Sequence, residues 1–249
     1  MIDVALTRAD VRRCDVAVVI DVLRATSVAT QALAGGYASV LFTDSLERAR
    51  ALRRPDRVLA GERHCLMPAG FDQGNSPLDV LLPRGRELVL ATTNGAPAII
   101  AAARLAPTVL LACLLNLASV LDTLSNGDWS AYDVQLVCAG TDGAVALEDT
   151  YVAGRLSSGL TGPRTDAARA AQAVASAFIT PLEALSHSDD ARVLRASGME
   201  ADIAHCATES VLDIVPRVIT VGSEVTVIAD HMGDALSPSA VDVPATVEI

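Results

Sequence analysis

Residues 15–36 read DVAVVIDVLRATSVATQALAGG, an apolar run followed by a helical pattern that ends on two glycines. The run is almost continuously hydrophobic, which is typical of a strand covered on both faces in a mainly parallel sheet. Thr26 and Ser27 are residue types that begin helices, and Gly35-Gly36 is typical of a helix end. This stretch therefore predicts one strand followed by one helix.

The same alternation continues along the first half of the chain. Further apolar, strand-like runs occupy residues 38–43, 57–60, 87–92, 108–113 and 133–138. Ser45, Pro97 and Asn116 stand at the start of helical patterns between these runs. The order predicts an α/β protein, a three-layer α/β/α sandwich with a mainly parallel or mixed sheet.

After residue 140 the pattern changes. Helices are predicted at 148–160, 165–178 and 189–196. A short β-hairpin is predicted from strands 218–221 and 224–228, around Gly222-Ser223, and the tail from residue 236 is irregular. We predict a single α/β domain over residues 1–249. The stretch 157–166 is the best candidate for a subdivision, followed by a part made of helices and the hairpin.

Composition excludes several classes of protein. The chain has 249 residues, of which 51% are hydrophobic, and a chain of this size can bury about 70% of its surface. All 19 basic residues are Arg. Without lysine, the chain can neither form a Schiff base with pyridoxal phosphate nor carry the GxxxxGK[ST] phosphate loop. The net charge of −11 argues against a nucleic-acid partner.

The sequence also indicates the cellular location of the protein. No apolar run reaches the roughly 18 residues of a membrane span, and the N-terminus lacks the apolar core of a signal peptide. The five cysteines form no CxxC pair, so neither a zinc site nor a redox pair is indicated. We expect a cytoplasmic protein with no membrane partner. The oligomeric state stays open, a homo-oligomer included.

Polar side chains follow several of the predicted strands. Asp21 follows the first run, Glu62 the third, 92–95 the fourth and 148–149 the sixth. In open α/β sheets, ligands bind outside the carboxyl ends of the strands. If these strands are parallel, we expect their polar residues to meet at one rim.

The segment after the first run has two interpretations. Asp21 could hold Mg²⁺, Arg24 could clamp an anion, and the hydroxyls and amides around Thr26 and Ser27 could bind an anion at the helix N-terminus. Alternatively, Thr26 or Ser27 only caps the helix, and Asp21 forms an ion pair with Arg24.

Two later polar segments are equally open. The loop at 70–77 is either a plain surface turn or a binding loop. Asn94-Gly95 could form a hairpin turn, but Pro97 and the Ala-rich run after it favour a strand-to-helix turn with free amides for an oxyanion.

Glu148 and Asp149 form an acidic pair at a predicted helix start. In isolation, favourable interaction with the helix dipole explains them. Together with Asp21 across the rim, they could instead complete a magnesium site.

Taken together, these motifs resemble the 2-phosphosulfolactate phosphatase family of coenzyme M biosynthesis. The resemblance rests on DVLRATS at 21–27, GER at 61–63, GFDQGNSP at 70–77, TTNG at 92–95, and CAG with the later LED between 138 and 149. It implies an α/β/α fold and a Mg²⁺-dependent phosphatase acting on a small sulfonated phosphate ester. The residues on the family's motif positions are Asp21, Arg24, Glu62, Asp72, Asn75, Ser76, Thr93, Asn94, Glu148 and Asp149.

We assign roles to these residues on that basis. Asp21, Glu148 and Asp149 are the candidate metal ligands, and Glu62 or Asp72 would orient the attacking water. The candidate substrate-binding residues are Arg24, Thr26, Ser27, Asn75, Ser76, Thr93, Asn94 and Gly95. Leu23 stands where a haloacid-dehalogenase-type phosphatase has its second Asp, so we do not expect an aspartyl-phosphate intermediate.

One departure from the family pattern concerns the substrate. Where the family usually reads GERGG, this chain has His64 and Cys65 after GER. We expect the two side chains to narrow specificity; the alternative is a thiol nucleophile at Cys65. Two rival functions follow: a phosphatase for a different phosphorylated hydroxy acid, and a non-catalytic small-anion-binding protein.

Overall fold

The computed structural model describes residues 1–126, 132–221 and 225–231. All six predicted apolar runs form strands, which confirms the α/β fold class. The strands are Ile2–Ala5 (β1), Val16–Ile20 (β2), Ser39–Thr43 (β3), Arg57–Gly61 (β4), Glu87–Ala91 (β5), Thr108–Ala112 (β6), Val134–Cys138 (β7), Ile214–Val221 (β8) and Val225–His231 (β9).

Helices alternate with the strands up to β7 and then follow one another. They are Ala25–Gly35 (α1), Leu46–Ala51 (α2), Gly95–Ala103 (α3), Leu117–Asn126 (α4), Leu147–Gly159 (α5), Asp166–Ser176 (α6), Pro181–Ser186 (α7), Asp189–Ala196 (α8) and Glu200–Cys206 (α9). A short 3₁₀ helix spans Arg8–Asp10, and a second spans Pro77–Val80.

The nine described strands form one mixed sheet in the order β1-β7-β2-β6-β8-β9-β3-β5-β4. Strands β1, β7, β2 and β6 are parallel, and so are β3, β5 and β4. The β8–β9 hairpin joins the two groups, because β8 pairs antiparallel with β6 and β9 pairs antiparallel with β3. Along the ladder, the two parallel groups therefore run in opposite directions.

The predicted hairpin is thus longer than expected, and it lies in the middle of the sheet. Residues 218–221 of the first predicted strand lie in β8, and residues 225–228 of the second lie in β9. Glu224, the first residue predicted for the second strand, lies outside the described residues. The predicted turn residues Gly222-Ser223 and the tail from 236 lie outside the described residues. The subdivision of the chain at 157–166 stays a prediction. In that stretch, Arg164 forms an isolated parallel β-bridge with Ile2 of β1.

Helices cover both faces of the sheet. Alternate residues of β2 show this, since Ala17 and Val19 pack with α1 and α3, whereas Val16 and Val18 pack with α4 and α5. The α1–α3 side includes residues from both parallel groups, so one continuous apolar core joins them. Each buried aliphatic side chain in it contributes about 1.5–3 kcal/mol.

Sheet twist explains how the two strand groups can share one rim. Neighbouring strands are rotated by about 20–25°, and this rotation accumulates over the strands that separate β2 from β5. The ends of these two strands meet: a Cβ placed on Gly95 would lie only 2.4 Å from Oδ2 of Asp21 and from Cβ of Ala25. The N-termini of α1 and α3 therefore lie side by side.

Candidate active site

A cleft of about 220 Å³ lies where β2, β4, β5 and β7 end. The sequence-predicted site residues that line it are Asp21, Arg24, Glu62, Asn75, Thr93 and Asn94. Residues from three of the predicted strand ends and from the loop at 70–77 therefore meet at one cleft, as expected. The remaining predicted site residues lie around or behind the cleft, as described below.

Asp21 is held by the first turn of α1. Its Oδ1 accepts a hydrogen bond from the backbone N–H of Ala25 at 2.9 Å. Burial raises the pKa of Asp21 to about 7, and the negative charges of Asp190 and Glu62 act in the same direction. A carboxylate in this position favours a cation beside it, because a positive charge offsets its desolvation.

Thr26 and Ser27 neither cap α1 nor line the cleft. The helix begins at Ala25, so both residues lie in its first turn. The Thr26 hydroxyl lies 2.8 Å from the carbonyl oxygens of Asp21 and Ala112, and the Ser27 hydroxyl donates to the carbonyl of Val22 at 2.8 Å. These buried hydroxyls hold the β2–α1 turn through backbone carbonyls.

Arg24 does not pair with Asp21. Its guanidinium is 2% exposed, and Nη1 lies 2.6 Å from Oδ2 of Asp202 on α9. The side chain nevertheless lines the cleft. The structure thus provides an oriented, buried positive charge at the site, held by Asp202.

Glu62 links the end of β4 to the end of β5. Its Oε1 accepts a hydrogen bond from the backbone N–H of Thr93 at 2.8 Å, and its Oε2 accepts one from Cys65 at 3.2 Å. Both oxygens keep a further lone pair, so the fixed carboxylate can still accept a hydrogen bond from a water molecule in the cleft.

The structure does not bring Asp72 or Ser76 to the cleft lining. Asp72 is 40% exposed in its side chain, pairs with Arg53 at 3.1 Å and accepts a hydrogen bond from the N–H of Leu59 at 2.8 Å. Ser76 donates to Oδ1 of Asp202 at 2.6 Å. Only Asn75 of the 70–77 loop lines the cleft, because the loop runs beside edge strand β4 before it turns inward.

The residues Asn94-Gly95 form a strand-to-helix turn, as Pro97 favoured. Asn94 is the N-cap of α3, although its side chain makes no capping bond; its Oδ1 accepts from the N–H of Asp142 at 3.1 Å. Gly95 does not line the cleft, and its backbone packs against Asp21 and Ala25 too closely for any Cβ. Thr93 does line it, and its hydroxyl is buried without a hydrogen-bond partner.

Glu148 and Asp149 lie in the first turn of α5, but behind the cleft wall. Asp149 accepts hydrogen bonds from Val22 at 2.9 Å and from Gly140 at 3.1 Å, which tie the β2 and β7 loops together. Burial raises the pKa of both carboxyls well above the usual range. Burial of a charge costs several kcal/mol, whereas the helix dipole contributes about 0.3–1 kcal/mol, so helix-dipole complementation alone does not explain the pair.

Asp190 of α8 is an acidic lining residue that the sequence did not single out. It shares a hydrogen bond with Glu148 and accepts another from the hydroxyl of Thr141 at 2.7 Å. Burial raises its pKa. Nothing in the sequence distinguishes Asp190 from its neighbour Asp189, since both begin the same amphipathic helix.

The donor set can be compared with what Mg²⁺ requires. Along the described parts of the chain, no three His, Cys, Asp or Glu side chains are arranged to hold a metal ion. However, Mg²⁺ usually binds through one or two carboxylates together with water and substrate phosphate oxygens. Asp21 and Asp190 offer that number at the cleft, whereas Glu148 and Asp149 are engaged behind it. The cleft fits Mg²⁺ on this chemistry.

Comparisons with known proteins assign the family. The sequence model described as 2-phosphosulpholactate phosphatase matches residues 3–220. The chain belongs to the 2-phosphosulfolactate phosphatase family. It is 43% identical over 208 residues to a probable 2-phosphosulfolactate phosphatase of Thermus thermophilus, covering 81% of this chain and 87% of that protein. For proteins of the same name from Thermotoga petrophila and Deinococcus radiodurans, the identities are 37% over 223 residues and 39% over 213 residues. These alignments cover 88% and 82% of this chain, and 96% and 88% of the relatives.

Within this member of the 2-phosphosulfolactate phosphatase family, His64 and Cys65 both line the cleft. Their φ angles are 54° and 63°, in the left-handed region that favours glycine. The backbone therefore keeps the shape of a glycine pair while carrying two side chains. Burial raises the pKa of the Cys65 thiol, which disfavours the thiolate that a nucleophile needs.

Over residues 1–126, 132–221 and 225–231, none of the helices is both long enough and apolar enough to span a bilayer.

Proposed function

We propose that the protein is a Mg²⁺-dependent phosphatase that hydrolyses a small phosphate monoester of the 2-phosphosulfolactate type, giving 3-sulfolactate and phosphate. The observation that carries this proposal is the meeting of Asp21, Arg24 and Glu62 at one cleft in a chain of this family. Cytoplasmic location and a place in coenzyme M biosynthesis belong to the same proposal.

Substrate oxygens would be bound by donors at the cleft. Within the described chain, Arg24 makes its side-chain hydrogen bonds through Nη1, which leaves Nε and Nη2 for an anionic group. Two further polar atoms are buried and unpartnered: the Thr93 hydroxyl, which can donate to a substrate oxygen, and the side-chain oxygen of Asn75, which can only accept a hydrogen bond from a hydroxyl of the ligand or from water. Buried polar atoms without partners are rare in folded proteins, so these two side chains support a polar ligand between them.

Asp21 and Asp190 would hold Mg²⁺, and Glu62 would orient the attacking water and accept its proton. When bound, the ion would neutralise negative charge that develops on the phosphoryl oxygens. The charge balance of the lining supports this assignment, because Asp21, Glu62, Asp142 and Asp190 face a single guanidinium there, and a phosphate dianion alone would be repelled. Glu62 is preferred to Asp72 because only Glu62 lines the cleft.

A second candidate is a phosphatase for a different phosphorylated hydroxy acid. His64 and Cys65 favour it, since they place two side chains where the family pattern has glycines. Phosphate release from a panel that contains 2-phosphosulfolactate, phospholactate, phosphoglycolate and a generic aryl phosphate tests both candidates. If an ester other than 2-phosphosulfolactate gives the highest kcat/KM, the second candidate is favoured. If no ester releases phosphate, the protein is a non-catalytic anion-binding protein.

Removing divalent cations is expected to lower phosphate release by about 100-fold or more, because the carboxylate-rich cleft then repels the phosphate. The measurement compares turnover after EDTA treatment with turnover after MgCl₂ is restored. Elemental analysis of the treated protein serves as the control. Full turnover by protein free of metal would contradict the magnesium assignment.

Restoring both glycines, His64→Gly with Cys65→Gly, is expected to widen the substrate profile. The kcat/KM values of bulkier esters should rise by about tenfold. One or two methylene-sized contacts in a pocket change the discrimination between substrates by amounts of this size. Glycine suits both positions, since each has a positive φ.

Cys65→Ser is the matched control for the thiol alternative. It should retain phosphate release, because catalysis is assigned to carboxylates. An unchanged profile in the double-glycine variant would refute the specificity role, and complete loss in Cys65→Ser would point to thiol catalysis.

A further inference from the structure

The Arg24 guanidinium is held from one side only. Nη1 lies 2.6 Å from Oδ2 of Asp202 and 2.9 Å from Sδ of Met199. Elsewhere in the described chain, Nε and Nη2 have no acceptor, and the side chain lines the cleft. One corner of the guanidinium is therefore anchored, while the rest is available to a ligand.

Asp202 is itself anchored by the 70–77 loop. Its second oxygen, Oδ1, accepts a hydrogen bond from the Ser76 hydroxyl at 2.6 Å. The Asp202 side chain is 4% exposed. The Ser76 side-chain oxygen also accepts a hydrogen bond from the N–H of Leu78, so Ser76 caps the 3₁₀ helix at Pro77–Val80. Three segments distant in sequence, the start of α1, the 70–77 loop and α9, thus meet at one guanidinium.

We propose that Asp202 and Ser76 are positioning residues that fix Arg24 with its free N–H groups directed at the anionic group of the substrate. This inference rests on the proposed function. Arginine recognises anions through a planar fork, so its orientation decides whether two donors or one reach the oxygens. A charged carboxylate on Nη1 fixes that plane, and the Ser76 hydroxyl fixes the carboxylate in turn. Neither residue lines the cleft, so neither acts on the substrate directly.

The proposal predicts a particular kinetic signature. Arg24 would contact the anion both in the ground state and in the transition state, so loss of its orientation raises KM and changes kcat much less. The Kd for inorganic phosphate should rise in parallel, since phosphate would use the same fork. A residue that only stabilises the fold would change thermal stability without this split between KM and kcat.

The experiment compares Asp202→Asn, Ser76→Ala and Ser76→Thr with the wild-type protein in MgCl₂. Glu200→Gln is the matched control, because Glu200 lies on the same helix with a side chain 77% exposed. KM and kcat are measured with the best ester of the panel, and the Kd of inorganic phosphate is measured by calorimetry. We expect Asp202→Asn to raise KM and Kd by about 10-fold to 100-fold, the equivalent of one charge-assisted hydrogen bond. Ser76→Ala should raise them by about threefold to tenfold, and Ser76→Thr and Glu200→Gln should stay near wild type.

A double variant separates positioning from other effects. In an Arg24→Lys background, which lacks the fork, Asp202→Asn should add little to KM or to the phosphate Kd, because the plane it orients is gone. Equal effects in both backgrounds would overturn the proposal. So would a folded Asp202→Asn or Ser76→Ala protein with wild-type KM and Kd. If Asp202→Asn does not fold, the comparison of Ser76→Ala with Ser76→Thr tests the proposal.

Failure of the proposed function would look different. A wild-type protein that releases phosphate from no ester refutes the phosphatase assignment, yet its phosphate Kd still reports on the fork. An unchanged phosphate Kd in folded variants of such a protein would refute the positioning role as well.

Discussion

Asp21→Asn is expected to lower kcat by about 100-fold to 1000-fold while leaving the fold intact. Loss of one charged group that stabilises the reacting centre has this size of effect in enzymes. The amide keeps an oxygen for the N–H of Ala25, so the β2–α1 turn keeps its hydrogen bond. It removes the negative charge that burial already disfavours, so thermal stability should not fall.

The measurement is phosphate release at saturating ester and saturating MgCl₂, with the melting temperature recorded in parallel. Asp122→Asn is the matched control, because it makes the same chemical change on the exposed side of α4. Wild-type kcat in Asp21→Asn would remove Asp21 from the mechanism. A large fall in melting temperature would indicate instead that the carboxylate supports the turn.

Much of the sheet could be predicted because its strands are short and buried on both faces. Two-sided burial requires near-continuous apolar runs, and β2 through β7 show them. β1 was missed because it has four residues and carries Asp3, whose carboxylate accepts hydrogen bonds from Thr165 and Gln135. The place of the β8–β9 hairpin could not be predicted, since local pattern carries no information about its distant partners β6 and β3.

The site was predictable only where chemistry follows a strand directly. Asp21, Glu62 and Asn94 stand at strand ends, and the fold brings all three to the cleft. Asp190 and Asp202 received no role from the sequence, because each lies in a helix whose pattern explains it equally well as a surface acid. Asp72 and Ser76 were predicted as site residues but do not line the cleft. A polar loop offers several side chains, and only the tertiary contacts decide which one faces inward.

Removing the charge of Arg24 should have the largest effect on stability. Both members of the Arg24–Asp202 pair are almost fully buried, with side chains 2% and 4% exposed. Breaking a buried ion pair by removing one partner costs about 3–5 kcal/mol, because the remaining charge stays desolvated without compensation. Arg24→Met is therefore expected to lower the free energy of unfolding by that amount, measured by urea denaturation. Arg169→Met is the matched control and should change it very little, since its pair with Asp166 lies on the surface.

The cost should come from the stranded carboxylate of Asp202 and not from lost packing of the Arg24 side chain. Adding Asp202→Asn to Arg24→Met removes that uncompensated charge, while the amide can still accept the hydrogen bond from Ser76. The double variant should therefore recover more than half of the lost stability, a strongly non-additive result for two residues in contact. If instead the two losses simply add, the pair contributes through packing, and the electrostatic account of this buried contact is wrong.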